Sequence, residues 1–358
     1  MGMLELINIE LNHEAKTSVL SFPSTKELSA HLGGYGQEVL WIFDSNTVKL
    51  FRQLPTARVI IESGERSKNI HSLQRILEAA MEEELACDGR IIAFGGGVVC
   101  DLATLAASLY MRGCHLTLVP TTLLAMVDAS LGGKGAIDFG GIKNIVGSFY
   151  PADEVLLSFD LLRTLNEREY KSGLAEVLKH ALLSKDLELY KLLLSRRTEI
   201  LDREEKTLAI MVELSLKIKQ KYIEQDPREF KQIRQALNLG HTFGHALESS
   251  TRFATWSHGE AIAWGTCRAL QAGVDLGITD KKFANSATKL FLSYGYELDF
   301  RIGRGEWLEF KSHLAKDKKK RKGEILFVLL KDQGSIELKT LEMPVIQALV
   351  MEKAIGRV

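Results

Sequence analysis

The sequence predicts an α/β N-terminal nucleotide-binding domain followed by a mostly α-helical C-terminal metal-binding domain. Three observations carry this expectation. Short β-branched runs alternate with helical patterns in the first part of the chain, a glycine triplet closes one of those runs, and from about Leu161 long helical patterns lead to a cluster of histidines. A chain of 358 residues accommodates two domains at roughly 100 to 200 residues each, with a sizeable buried core. The change of texture places the boundary near Ser158, giving domains 1–158 and 159–358.

In chain order, EVLWIFD around Glu38, ARVIIES around Val59, RIIAFGGG around Ile91 and HLTLVPTT around Leu116 read as strands. Strands separated by helical patterns pair in parallel. Between the second and third, Asn69 to Glu84 sets Ile70, Leu73, Ile76, Leu77 and Ala80 at helical spacing, as a crossover helix requires. Beyond Leu161, the segments SGLAEVLKHALLS, TEILDREEKTLAIMVELSLKIKQKY, RQALNLGHTFGHALES and HGEAIAWGTCRALQAG are helical in pattern. GEILFVLLKDQGSIEL reads as a hairpin turning at Asp332 to Gly334, with either domain open to it. There is no internal repeat and no low-complexity segment.

Composition narrows the function classes. Apolar residues at 46% and charged residues at 26% belong to a folding globular chain, far from the signature of disorder. The 46 basic side chains balance 46 acidic ones, so the molecule has no overall attraction for a polyanion and is not read as binding nucleic acid. Cys87, Cys100, Cys114 and Cys267 form no C-x-x-C pair, which removes a zinc ribbon and a thioredoxin-type motif and fits a reducing compartment. The start MGMLELINIELNHEAK lacks the pattern of a secretory signal, and no run reaches the ~18 apolar residues of a membrane span. The expectation is a soluble, cytoplasmic protein with no membrane partner.

Three constellations carry chemistry. Gly95, Gly96 and Gly97 lie between a strand and a helical pattern, so they read either as a tight turn or as bare backbone on which a pyrophosphate meets a helix N-terminus. Asp101 just beyond reads either as part of that site or as the helix N-cap. The next stretch, VPTTLLAMVDASLGGKGAIDFGGIKNIVGSFY, gathers Thr121, Thr122, Asp128, Lys134 and Lys143 among glycines, which suits a phosphate or else a loop with solvated lysines. Gly135 follows Lys134, so the P-loop pattern is absent. The third set is Glu176, His241, His245 and His258. His241 and His245 share a helix face at i and i+4, where both reach one metal or one ligates while the other handles protons; spacing does not choose. Thr242 after His241 excludes H-E-x-x-H. Imidazole and carboxylate ligands from three helices leave zinc an open coordination position, as catalytic sites do. His13, His31, His71, His115, His180 and His313 read as surface or core residues. The basic run from Lys316 to Lys322 reads as a solvated face, a cation source for an anionic substrate, or a nucleic-acid signal.

Taken together, GGGVVCDLA, YMRG, VPTTLLAMVDASLGGK, KNIVGSFY, SGLAEVLKH, RQALNLGHTFGHALE, HGEA and KDKK resemble, in order and spacing, the 3-dehydroquinate synthase family of the sugar-phosphate cyclase group. The similarity runs from about Asp44 to Leu330. It implies a dehydroquinate-synthase-like fold, NAD as cofactor, and a Zn²⁺ ion, with Co²⁺ as the alternative, held by Glu176, His241 and His258. His245 is then left for substrate and proton transfer. For NAD the resemblance implies Asp44, Asn46, Glu65, Lys68, Gly96, Gly97, Val98, Asp101, Thr121, Thr122, Leu124 and Thr164, with Asp128, Lys134 and Lys143 shared with the substrate. The substrate residues it implies are Arg112, Asp128, Lys134, Lys143, Asn144, Lys179, Lys219, Arg234, Asn238, His245 and Lys318. Cys100, Gly135 and Ile142 depart from the family pattern, which usually has glycine, threonine and glycine there, and DPREFKQIR is one residue longer than usual.

The implied reaction converts 3-deoxy-D-arabino-heptulosonate 7-phosphate to 3-dehydroquinate and phosphate by transient oxidation, phosphate elimination, re-reduction and aldol closure. Other readings are a cyclase acting on sedoheptulose 7-phosphate or glucose 6-phosphate, a glycerol-dehydrogenase-like oxidoreductase, and a catalytically silent homologue. The implied partner is a phosphorylated sugar acid, and the implied assembly is a homodimer.

Overall fold

A computed structural model describes residues 3–12, 15–36, 38–51, 54–250, 255–320 and 325–352. The chain divides into two compact units, one of residues 1–166 with 208–228 and one of residues 167–207 with 229–358. The sequence reading put a single boundary near Ser158; helical periodicity shows that a helix has an apolar face, not which neighbour covers it.

The first unit is built on a seven-stranded sheet. Its strands are β1 (Leu4–Asn12), β2 (Ala15–Phe22), β3 (Val39–Asp44), β4 (Arg58–Ile61), β5 (Arg90–Gly95), β6 (His115–Pro120) and a later strand at Glu154–Ser158. Between them run α1 (Thr25–Leu32), α2 (Ile70–Glu82) and α3 (Gly97–Leu109). Two further strands, β7 (Lys134–Phe139) and β8 (Ile142–Phe149), pair only with each other, so the strand at Glu154–Ser158 is β9. The sheet order is β1-β2-β9-β6-β5-β3-β4, parallel from β2 to β4, with β1 antiparallel on β2. The four expected strands are the adjacent β6, β5, β3 and β4, as their near-continuous apolar runs require of strands covered on both faces.

The glycine-rich stretch after β6 is a π-type turn at Ala125–Ala129 followed by the β7–β8 hairpin, not a loop. Its glycines mask the strand period, and Gly135 shows why one is needed. A Cβ there would lie 2.6 Å from the Leu105 backbone nitrogen and 2.7 Å from the Thr104 side chain, so β7 lies directly on α3.

β3 continues to β4 on one side while β5 continues to β6 on the other, so the connections diverge between β3 and β5. That divergence is where open parallel sheets bind ligands, at the strands' carboxyl ends. Asp44 ends β3, Glu65 and Lys68 follow β4, Gly95 ends β5, and Thr121 follows β6.

The second unit is mostly helical, as expected: α4 (Glu167–Leu182), α5 (Glu188–Ser195), α6 (Arg197–Leu201), α8 (His241–Ser250), α9 (His258–Asp275), α10 (Lys281–Ser293), α11 (Trp307–Lys320) and α12 (Met343–Met351). The intervening α7 (Glu205–Gln225) starts in this unit, but from Leu208 it belongs to the first. The terminal hairpin, β10 (Leu326–Asp332) with β11 (Ser335–Thr340), belongs to the helical unit. Gln333 at its turn donates to Ser184 O at 3.0 Å.

Residues Ser172 to Leu182 of α4 are buried without interruption, although they include Glu176, Lys179 and His180. α9 reaches α4 through Gly259, whose N–H donates to Ser172 Oγ at 3.0 Å. A Cβ on Gly259 would sit 2.4 Å from the Ser172 Cα and carbonyl oxygen. Gly259→Ala is therefore expected to destabilise the protein by about 1–3 kcal/mol or more through overpacking. Gly34→Ala, with open space around its Cβ, is expected to leave stability essentially unchanged. Urea unfolding midpoints compare the two.

Candidate functional site

In the second unit, local backbone chemistry aims each imidazole. Ser257 caps α9: its hydroxyl accepts from Glu260 N at 3.3 Å, and the Glu260 carboxylate accepts from Ser257 N at 2.7 Å. This reciprocal cap makes His258 the first helical residue. Gly240, at φ +80°, turns the chain into α8 so that His241 opens that helix. His241 Nδ1 donates to Leu239 O at 3.2 Å, which leaves the Nε2 lone pair for the site.

Glu176 is fully buried, and its Oε1 lies 3.1 Å from His258 Nε2 and 3.6 Å from His241 Nε2. The three donor atoms all lie within 4.8 Å of one another. Ligands about 2.1 Å from a tetrahedral ion stand about 3.4 Å apart, so the donor set fits a divalent metal of the zinc type.

Electrostatics supports the same fit. Burial alone would raise the Glu176 carboxyl, but Lys179, which forms an ion pair with it, and the neighbouring imidazoles hold it well below the usual carboxylate range. Burial, then Lys179, pushes His241 well below the ordinary imidazole value and keeps it neutral. His258 is opposite: burial disfavours its charge, but hydrogen bonds to Glu176 and Glu248 push it up to about 10. Without metal, one proton therefore sits on His258 between two carboxylates.

Glu248 was missed in the sequence. It is buried, and its Oε2 lies 3.4 Å from His258 Nδ1, where a carboxylate fixes a ligating histidine's ring and tautomer. The signal was available as His245 and Glu248 at i and i+3 on α8, one face of one helix. His245 is exposed, with its ring centroid 5.1 Å from that of His241. Lys179 also donates to Leu237 O at 2.7 Å, which ties it to the turn Arg234–Asn238 that carries buried Arg234 and half-buried Asn238. Lys318 lies on α11; its side chain, like Arg321 and Lys322, falls outside the described residues.

The first unit brings together a second group. Gly96 precedes α3 without any side-chain cap, so the first N–H groups of that helix are left for an anion, and Thr122 lies beside it. Asp101 is not the N-cap; it lies inside the second turn of α3 and pairs with Lys68. Burial pushes Asp101 up to about 6, with Lys68 opposing. Lys68 also donates to Asn144 at 2.5 Å, and Lys143 lies 3.3 Å from Glu65. Asp44 uses its carboxylate to turn the chain, accepting from Asn46 N and Thr47 N at 2.8 Å each. Lys219 on α7 bonds Asp128 Oδ1 at 2.5 Å, and also its carbonyl. Val98 and Leu124 are half-buried, and Thr121 is buried. Thr164 is exposed and donates to Leu161 O at 2.7 Å. Arg112 is exposed at φ +70°; among the described residues no hydrogen bond or ion pair joins it to the other candidates. Lys134 is exposed at the start of β7. Buried Cys100 is inert, because burial pushes its thiol far up.

A parallel sheet with an uncapped helix at its centre, followed by a helical unit that converges a carboxylate and two imidazoles, is the layout of the dehydroquinate-synthase-like class. Solved structures of that layout align over nearly the whole chain. A 2-deoxy-scyllo-inosose synthase, solved with carbaglucose-6-phosphate, NAD⁺ and Co²⁺, aligns with a TM-score of 0.84 at 22% identity, covering 97% of this chain and 99% of that one. The 2-epi-5-epi-valiolone synthase of Streptomyces hygroscopicus subsp. jinggangensis 5008, with NAD⁺ and Zn²⁺ bound, aligns at 0.82 and 23% identity over 95% and 97%. Residues 58–172 match the 3-dehydroquinate synthase N-terminal family and residues 173–320 its C-terminal counterpart. The 3-dehydroquinate synthase of Thermoanaerobacter pseudethanolicus is 38% identical over 79% of this chain and 78% of its own. That of Francisella tularensis subsp. tularensis is 36% identical over 85% and 86%. The chain belongs to the 3-dehydroquinate synthase family.

Two outcomes follow for the metal centre. Because the ion must displace the His258 proton, its apparent affinity is expected to fall about tenfold from pH 8 to pH 7, with about one proton released per ion, as read by calorimetry in buffers of different ionisation enthalpy. His241→Ala is expected to abolish stoichiometric metal in the purified protein; wild-type metal content in that variant would refute the ligand set.

Proposed function

We propose that the protein converts 3-deoxy-D-arabino-heptulosonate 7-phosphate to 3-dehydroquinate and phosphate. The observation that carries this reading is the fit of Glu176, His241 and His258 to one divalent ion, in a chain of this family. When bound, NAD⁺ supplies reversible hydride acceptance, and Zn²⁺ or Co²⁺ supplies Lewis-acid polarisation of a carbinol oxygen.

The chain's own residues do the rest. Gly96, Gly97 and the open start of α3 take the cofactor's pyrophosphate, with Asp44, Asn46, Glu65, Lys68, Val98, Asp101, Thr121, Thr122, Leu124 and Thr164 around it. Lys134, Asn144 and Arg112 hold the substrate phosphate, with Lys143 and Lys318 adding positive charge. Arg234 meets the substrate carboxylate as a bidentate fork. Asp128, held by Lys219, orients hydroxyls with Lys179 and Asn238. His245 shuttles protons, a role favoured by its exposure and by its place beside His241 on α8. The substrate phosphate itself accepts the proton lost next to the oxidised carbon, which removes the need for a separate carboxylate base.

Among the described residues no helix is long and apolar enough to cross a membrane. A cytoplasmic setting is supported by four unbonded cysteines, and a homodimer by the family resemblance.

Stoichiometry tests the reaction. Phosphate release from the heptulosonate phosphate is expected with catalytic NAD⁺ and no net NADH. Chelation is expected to stop it and added Zn²⁺ or Co²⁺ to restore it. Accumulating NADH would point to a dehydrogenase, and turnover only of sedoheptulose 7-phosphate or glucose 6-phosphate to another cyclase.

A further inference from the structure

Lys68 does not sit as an isolated cofactor contact. Its ammonium is buried, pairs with Asp101 on α3 and donates to Asn144 Oδ1 at 2.5 Å. Its backbone is joined to the same hairpin, because Asp138 N donates to Lys68 O at 2.8 Å. Asp138 Oδ1 in turn accepts from Asn144 N at 2.9 Å, which holds Asn144 at φ +52°, a conformation unusual outside glycine. Lys68 thus grips the tip of the β7–β8 hairpin through both main chain and side chain.

The chemistry of the pair sets a direction. An ammonium has three donors and no acceptor, so an amide beside it must turn its oxygen inward. Asn144 is exposed, and among the described residues its Nδ2 has no hydrogen-bond partner. Two N–H donors therefore point outward, and an amide turned the other way would meet an anion with a lone pair. Lys68 is too deeply buried to reach an anion itself, and its charge is matched by Asp101.

We propose that Lys68 is a positioning residue for phosphate recognition, acting through Asn144 by fixing the amide with its donors outward. This deepens the reading of Asn144 as a phosphate contact and rests on it.

A double-mutant cycle tests the coupling, using NAD⁺-saturated protein titrated with inorganic phosphate by calorimetry. Asn144→Ala and Lys68→Met are each expected to weaken phosphate about tenfold, the loss of one charge-assisted hydrogen bond. The double variant is expected to be no weaker than Asn144→Ala, because without the amide Lys68 has nothing to orient. Losses that multiply to about a hundredfold, wild-type affinity in Lys68→Met, or no phosphate binding by the wild type would each overturn the proposal. If Lys68→Met fails to fold or to retain NAD⁺, a crystal structure of the wild-type protein with NAD⁺ and phosphate decides. Nδ2 on a phosphate oxygen with Oδ1 on Lys68 is expected; Lys68 itself on the phosphate, or Oδ1 turned away, overturns it. Wild-type protein that shows the coupling yet releases no phosphate from the heptulosonate would sink the activity and leave this role standing. Turnover with multiplying losses would do the reverse.

Discussion

A carboxylate with no exposed surface, in a helical segment buried on every side, is the constraint around which the helical unit is organised. Glu176 would be strongly destabilising in that position without partners, since an ionised carboxylate removed from water must be matched by charge and hydrogen bonds. Its two oxygens divide the task. One pairs with Lys179 on the same helix and the other faces His241 and His258 from α8 and α9. Compensation of the buried charge and convergence of three helices on one point are thus a single arrangement. It also explains why α9 meets α4 through a glycine: only bare backbone brings His258 close enough to the Glu176 oxygen.

The sheet unit meets a different constraint, the matching of its own buried charge. Lys68 and Lys219 are matched by Asp101 and Asp128, and α3 starts without a side-chain cap, so backbone N–H groups rather than a charged side chain stand at its first turn. Local pairing of this kind leaves little net field around the unit, in keeping with a chain whose 46 basic side chains balance 46 acidic ones.

The parallel core was legible because strands covered on both faces must be apolar almost throughout, and β3, β5 and β6 are. The β1-β2-β9 side was not. β1 carries acids and asparagines, β9 follows directly on the glycine-rich stretch, and the β7–β8 hairpin hides its period behind glycines, of which Gly135 lets it lie on α3. Glu176, His241, His245 and His258 were legible as one candidate constellation in helical patterns, but the i and i+4 spacing of His241 and His245 did not choose between them, and the proposed ligand set came from the family resemblance. Glu248 lay in plain view in the same helix as His241 and was passed over, since one acidic residue in a helical pattern ordinarily reads as solvated surface. The partners of Lys68 lie far along the chain, and no local pattern carries a contact formed only after a sheet and a hairpin have assembled.

The return of α7 to the sheet unit has a consequence for biosynthesis. A nascent chain cannot complete that unit when residue 166 leaves the ribosome, because its last helix is encoded only up to residue 228, after α4 to α6 have already emerged. Vectorial folding, in which each domain finishes before the next begins, is therefore closed to this architecture. The earlier half must wait, partly uncovered, and chaperone occupancy during translation should track that interval.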